Sequence, residues 1–345
     1  STMHAPVLSL PTSVRCLIAG FLLLFAQFAA AAPQLPENPG QWINSRPLSL
    51  EALKGKAVVF YFFEEQCPRC IEKWPPMLEA SQKFQGQPVV FIGVNSGNSR
   101  GTVDSYARKV NIPWPIIVDE DRSLEKQFEL PNEISLQNIY QMRVVTPEGT
   151  VRNGNPNEFE TTVKDSLTGA AWKVDPESMP DELQAAWKEV ELGDYLRALP
   201  LLKRPLASKN DELRTAAEQL QSLVQNDLSE QTARAKEHEA QGKIWDAYKL
   251  YASISTRFKG YEGVDESTDK AKELAKHESV KAEQSAMKKL TVAKSTGNRG
   301  DQRSVQRAVG MLKSLVEDYP ESEAAVEAQQ ILDRIESPAE PVKPE

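Results

Sequence analysis

Apolar positions along this chain follow two different periods, and the change from one to the other divides it. From Ala57 to Phe63 every residue is apolar or aromatic, A-V-V-F-Y-F-F. The run is too short for a buried helix and dense in β-branched and aromatic residues, so it predicts a central strand covered on both faces. Val89 to Val94 predicts a second strand and Ile116 to Val118 a third. Met142 to Val145 predicts a fourth, which turns through Pro147-Glu148-Gly149 into Thr150-Val151. Between these runs Ile71, Trp74, Leu78 and Phe84, and then Val103, Tyr106, Ala107 and Val110, recur at helical spacing. Strands alternating with helices predict an α/β sheet domain over 42–170, closed by a short helix around Phe159 to Leu167.

The segment 171–180, with Pro176 and Pro180, reads as a linker, and strand signals stop there. Helical periodicity then persists, predicting an all-α domain over 181–336. It carries a weak internal repeat: Gly193-Asp194-Tyr195-Leu196-Arg197-Ala198 matches Gly242-Lys243-Ile244-Trp245-Asp246-Ala247 in its spacing from glycine to alanine. A partial third unit shows in Ala308, Leu312, Leu315, Tyr319-Pro320 and Ala324-Ala325. Stacked helical hairpins of the tetratricopeptide kind produce such patterns, although the intervals here are irregular and longer than the ~34 residues of a regular array. Residues 32–41 read as a proline-rich linker and 337–345 as a disordered tail.

Ahead of them, Arg15 precedes an uncharged run through Phe21-Leu22-Leu23-Leu24-Phe25 to Ala29-Ala30-Ala31-Ala32. The pattern predicts a signal peptide over 1–31 with an A-x-A cleavage site after Ala31. A retained anchor is the alternative, and contact with a membrane is expected only in that case. Either way the body of the protein is expected to be extracytoplasmic, periplasmic or secreted.

Charge and cysteine content narrow the chemistry. With 41 basic and 49 acidic side chains the net charge is −8, which is not the footprint of a nucleic-acid-binding protein. A mean hydropathy of −0.48 excludes a multi-span membrane protein. Of three cysteines, Cys16 belongs to the export segment, which leaves Cys67 and Cys70, in Cys67-Pro68-Arg69-Cys70, for the mature chain. In an oxidising compartment two cysteines at this spacing are placed to bridge each other reversibly. The motif falls where a strand ends and a helix begins, so free backbone N–H groups and the positive end of the helix favour a thiolate at Cys67. Arg69 adds positive charge, while Cys70, one turn in, is shielded. Half of a zinc site would share the spacing, but His4, His238 and His277 all lie outside the α/β domain, and no metal or other cofactor is expected. An inert buried cysteine pair is the remaining alternative.

These features resemble the TlpA/ResA-like branch of the thioredoxin superfamily. The resemblance runs from about Trp42 to Gly154, through the lead-in L-S-L-E-A-L-K-G-K, the aromatic strand before C-P-R-C, and Pro75 five residues after Cys70. A V-N turn at Val94-Asn95 and a strand end at Val118-Asp119 complete it. It implies a thioredoxin fold and redox work at or near a membrane, with Cys67 and Cys70 as the active pair. Pro75 would kink its helix, since an interior proline costs about 3 kcal/mol, or simply end it. The chain departs from the family's pattern at Gln66, where a tryptophan is usual, and at Tyr61, where many relatives carry a buried acid. At Tyr140 no cis-proline faces the cysteines, and a trans Ile139–Tyr140 peptide is expected. The sequence therefore predicts a thiol–disulfide oxidoreductase acting on protein thiols and disulfides, with a helical domain that docks a further, unidentified protein. The rival is a non-catalytic scaffold on a relic thioredoxin fold. A peroxidase would need the P-x-x-x-T-x-x-C pattern, with proline and threonine where Phe60 and Glu64 stand.

Overall fold

The computed structural model describes residues 33–65, 68–130, 141–297 and 301–336, and of 68–70 the backbone only. The signal segment, Cys67, Tyr140 with its preceding peptide, and the 337–345 tail lie outside the described residues.

Six strands form one sheet: β1 (Trp42–Ile43), β2 (Ala57–Phe63), β3 (Val89–Ser96), β4 (Ile116–Asp119), β5 (Gln141–Val145) and β6 (Val151–Gly154). Their spatial order is β1-β4-β3-β2-β5-β6. β2, β3 and β4 run parallel, while β5 is antiparallel to β2 and β6 to β5. The parallel strands are joined by helices α1 (Pro68–Gln82) and α2 (Arg100–Val110), as parallel neighbours require. Helices α3 (Ser123–Gln127) and α4 (Phe159–Ser166) complete the α/β unit.

All seven residues of β2 are buried, and they divide by parity. Ala57, Val59, Tyr61 and Phe63 pack with Trp74 and Met77 of α1, Val103 and Tyr106 of α2, and Phe159 and Val163 of α4. Val58, Phe60 and Phe62 pack on the other face with Trp42, Leu53, Leu124 and Phe128. Two apolar layers sharing one sheet explain the continuous run in the sequence. The Val94-Asn95 pair, expected as a turn, lies inside β3, because Asn95 pairs with both Phe63 and Val118 and its side chain accepts from Asn98. The segment expected as a tether is laid against the domain: Leu35 is buried in the second layer, and the Trp42 indole donates to the Pro36 carbonyl. A leucine among prolines supplies the apolar anchor that composition alone conceals.

The helices that follow are α5 (Gln184–Glu191), α6 (Tyr195–Leu206), α7 (Asp211–Ala240), α8 (Ile244–Arg257), α9 (Val264–Leu274), α10 (Glu278–Gly297), α11 (Gln302–Asp318) and α12 (Glu323–Glu336). No strand occurs among the described residues of this region. Both glycines of the internal repeat mark the same event, a left-handed residue between paired helices: Gly193 (φ 77°) joins α5 to α6 and Gly242 (φ 74°) joins α7 to α8. Ala198 and Ala247, five residues on, are fully buried where the partner helices approach. The helical region has two hydrophobic cores, one spanning 174–274 and one confined to 286–332. Trp172, Val174 and Met179 of the 171–180 segment pack into the first of these.

Candidate redox site

The C-P-R-C motif occupies the passage from the end of β2 to the start of α1. Pro68 is the first residue of α1, a position where proline's missing N–H costs nothing and its fixed φ suits the helix. The backbones of Arg69 and Cys70 follow within the first turn. The sulfur of Cys67, one residue before the helix, lies outside the described residues, as does Tyr140. The structure therefore places Pro68, Arg69, Cys70 and Pro75 on one helix and is silent on the pairing of the two cysteines.

What fixes that helix is Trp74, one turn beyond Cys70. It is fully buried and meets Tyr61 and Phe63 edge-on at 5.1 and 5.0 Å and Trp114 at 5.3 Å. Such aromatic contacts add about 0.5–1.5 kcal/mol each to the burial itself. Tyr61, standing where an acid was the family expectation, is thus a structural member of the cluster. Pro75 and the adjacent Pro76 do not end α1, which continues to Gln82. Both prolines face solvent, and so do Ile71 and Glu72, whose carbonyls lose their helical donors and can turn to water.

The far side of the passage is polar. Glu64 is half-buried, and burial raises its carboxyl above the ordinary glutamate range while the charge of Arg122 pulls it back. The neighbouring Glu65 has one enclosed carboxylate oxygen, Oε2, with no hydrogen-bond partner among the described residues. Arg122 itself has a left-handed backbone (φ 57°), which costs a non-glycine residue about 1 kcal/mol or more. Its guanidinium is paired with Glu125 at 3.0 Å and lies flat over Gly97. A Cβ on Gly97 would come within 2.5 Å of Arg122 Nη2. Asp119, at the end of β4, is buried and accepts from the backbone N–H groups of Leu124 and Glu125. Burial drives its carboxyl up to about 6 against the pull of those donors. Sequence reading passed over Gly97, Asp119 and Arg122 as site residues. The available signals were a glycine just after a predicted strand, and a single arginine closing the acidic run D-E-D-R.

Among the described residues no cluster of three or more His, Cys, Asp or Glu could hold a metal ion, and no helix is long and apolar enough to cross a membrane.

A sheet of parallel β2–β3–β4 continued by antiparallel β5–β6, with a Cys-x-x-Cys helix leaving the central strand, defines the α/β unit as a thioredoxin-fold domain. Residues 30–153 match the AhpC/TSA family. Thiol-disulfide oxidoreductase ResA of Bacillus subtilis (strain 168) is 28% identical over 87 residues, which is 25% of this chain and 49% of that protein. Chloroplastic peroxiredoxin Q of Sedum lineare is 29% identical over 92 residues, 26% of this chain and 49% of that protein. The chain thus spans about half the length of these curated relatives. Among solved structures, a thiol:disulfide interchange protein of the thioredoxin family from Chlorobium tepidum TLS is 24% identical, with 40% of this chain and 98% of that chain covered and a TM-score of 0.33.

Proposed function

We propose that this protein is an extracytoplasmic thiol–disulfide oxidoreductase that exchanges disulfides with protein substrates through Cys67 and Cys70. The observation that carries the reading is the position of the motif, between the end of the central strand and the first turn of α1, with Cys16 the only other cysteine in the sequence. Helix N-terminal N–H groups lower a thiol's pKa at that place, and the second cysteine, held on the helix, is the resolving group. The Cys67 thiolate attacks a partner disulfide, one partner sulfur leaves as a thiolate, and a mixed disulfide forms. Cys70 then attacks Cys67, releasing the second partner thiol and leaving a Cys67–Cys70 disulfide, so two electrons have passed to the partner. The opposite direction uses the same atoms.

Kinship to peroxiredoxins as well as to ResA raises peroxide as a second substrate. Phe60, fully buried in the sheet's second layer, and Glu64 stand where the peroxidase pattern needs proline and threonine, which favours disulfide exchange. The helical region, with its tetratricopeptide-like pairs, serves in this reading to dock the partner.

The test is a trapping experiment in the native extracytoplasmic setting. Cys70→Ser retains the attacking sulfur and removes the resolving one, so covalent partner adducts should accumulate on non-reducing gels, and Cys67→Ser should trap none. Equal adduct levels in the two variants would transfer the function to a non-catalytic scaffold.

A further inference from the structure

The last three helices are joined to the rest of the chain near the start of α10 and held down again near its end. Their core, which includes Ala286 and Leu290 of α10, Leu315 of α11 and Ala328 of α12, is separate from the core of 174–274. At the start of α10 the chain passes through the exposed Lys276 and His277, and Val280 is buried just beyond. Bridges to α8 sit at this same end. Gln284 donates to the Tyr248 hydroxyl at 2.7 Å, and Glu323, whose N–H is bonded to Glu283, accepts from Trp245 and Lys249. Lys294 stands about four turns past Val280, roughly 21 Å along the helix. There it helps to wall a cavity of about 220 Å³, together with Asp119, Asp121, Gln127, Gln34 and Gln41. Its ammonium lies 2.5 Å from Asp121 and 3.0 Å from Glu327.

We infer that α10–α12 form a hinged lid over this cavity, pivoting at the start of α10 and latched at the far end by Lys294 on Asp121. The lever is what makes the latch decisive. A rotation of about 10° at the pivot carries Lys294 roughly 4 Å, enough to lift it off Asp121, while the bridges to α8 lie close to the axis and shift far less. These bridges and the latch are polar and open, wholly or in part, to water, which replaces them at little cost. Cations that compete for Asp121 therefore favour the open form. The lid covers the carboxyl end of β4, and open α/β sheets take their ligands at the carboxyl ends of their strands. Because β2, β3 and β4 run parallel, the start of α1 lies at the same end of the sheet, two strand spacings or about 10 Å across. The motion itself does not depend on the exchange reading.

The test is a distance measurement on the full chain by pulsed electron spin resonance, with spin labels carried on noncanonical side chains so that the cysteines are untouched. One label pair, at the exposed Lys109 of α2 and Gln330 of α12, spans the lid and the α/β unit. A second, at the exposed Lys288 of α10 and Gln330, lies within the lid. Lys294→Ala should raise the population at altered Lys109–Gln330 distance by about two- to fivefold, and Lys294→Glu, which sets like charge against Asp121 and Glu327, by more. Salt at about 1 M should act on the parent in the same direction. Adding Asp121→Lys to Lys294→Glu restores an opposite-charge latch and should return the parent distribution. The Lys288–Gln330 distance should stay fixed throughout. Identical Lys109–Gln330 distributions in the parent and Lys294→Glu would overturn the inference. So would a Lys288–Gln330 distribution that broadens alongside, since the helices would then be melting rather than swinging, or a double variant that stays open.

Discussion

Two of the contacts between the α/β unit and the helical region are built on opposite principles. At the base of the sheet, where β2 begins, Lys56 and Glu191 form an ion pair at 2.7 Å with both side chains fully enclosed. Trp172 lies 5.4 Å from the ammonium, and the other Glu191 oxygen accepts from Val174 N–H. Leu192 packs into the sheet's second layer beside this pair. Gly193 approaches so closely that an added Cβ would sit 2.5 Å from Ala52 Cβ. At the strand ends, Lys294 of α10 reaches across to Asp121 at 2.5 Å and to Glu327 at 3.0 Å, with each group partly open to water. The first junction is dry and close-packed; the second is polar and wet. A dry junction fixes an orientation because any displacement strands a charge or opens a void, whereas water replaces the partners of a wet one at little cost.

The largest effect therefore belongs at the base. Lys56→Met leaves Glu191 enclosed without its counter-ion and should destabilise the full chain by about 3–5 kcal/mol in chemical denaturation. Burial already holds the Lys56 ammonium below the usual lysine range against the pull of Glu191, so the pair's worth lies in mutual satisfaction. Adding Glu191→Gln to Lys56→Met removes the stranded charge and keeps an acceptor for Val174 N–H, and should recover most of the loss. A double variant no more stable than the single one would show that packing, not charge, makes this junction.

Between the two junctions in magnitude stands Asp119, one strand end away from the wet contact. Its carboxyl is raised from 3.8 to about 6 by burial, so between those values the folded state binds more protons than the unfolded one. Stability from this group is fully present below pH ~4 and is lost as pH rises through about 6, a change on the order of 3 kcal/mol. Asp119→Asn should flatten that fall, read as the difference between the two proteins' stability curves from pH 4 to 7. Parallel curves would place the carboxyl's folded pKa back in the ordinary range.

How much of this was legible in the chain follows from what each element needs. The strands were readable because a sheet covered on both faces demands unbroken apolar runs, and 57–63 supplies one with the right chemistry. The helix junctions at Gly193 and Gly242 were readable because a left-handed junction selects glycine. Lys56 was not: beside Lys54, in a lead-in of lysine and glycine, nothing local separates an enclosed ammonium from a solvated one, since its partner lies 135 positions away at Glu191. Arg122 escaped for the same reason, as its neighbours come from three different strand ends. Leu35 and Val174 were hidden by proline-rich surroundings that read as tether and linker, where a single apolar anchor is outweighed by composition. The motif was the most visible part of the site, while the charges around it were set by tertiary contact.

The smallest effect belongs to the wet junction, and it sharpens the contrast most directly. Lys294→Ala removes the cation that Asp121 and Glu327 share, yet all three groups are reached by water, with exposures of 28% for the Lys294 side chain, 22% for Asp121 and 42% for Glu327. Exposed pairs of this kind contribute about 0.2–1 kcal/mol, and salt weakens them as the screening length falls from about 10 Å at 0.1 M to about 3 Å at 1 M. Lys294→Ala should accordingly cost under about 1 kcal/mol, and the cost should shrink further at 1 M salt. The loss from Lys56→Met should persist there, because no mobile ion enters an enclosed pair. The second helical core, 286–332, is separate from the first, so release of Lys294 leaves α10–α12 attached through α8, where Glu323 accepts from Trp245 and Lys249. Hydrogen exchange should then rise in the β4–α3 loop and along α10 while α5 and β2 stay protected. If Lys294→Ala instead cost as much as Lys56→Met, or loosened α5 and β2 as well, the strand-end contact would share in fixing the orientation of the helical region, and the distinction between the two junctions would fall.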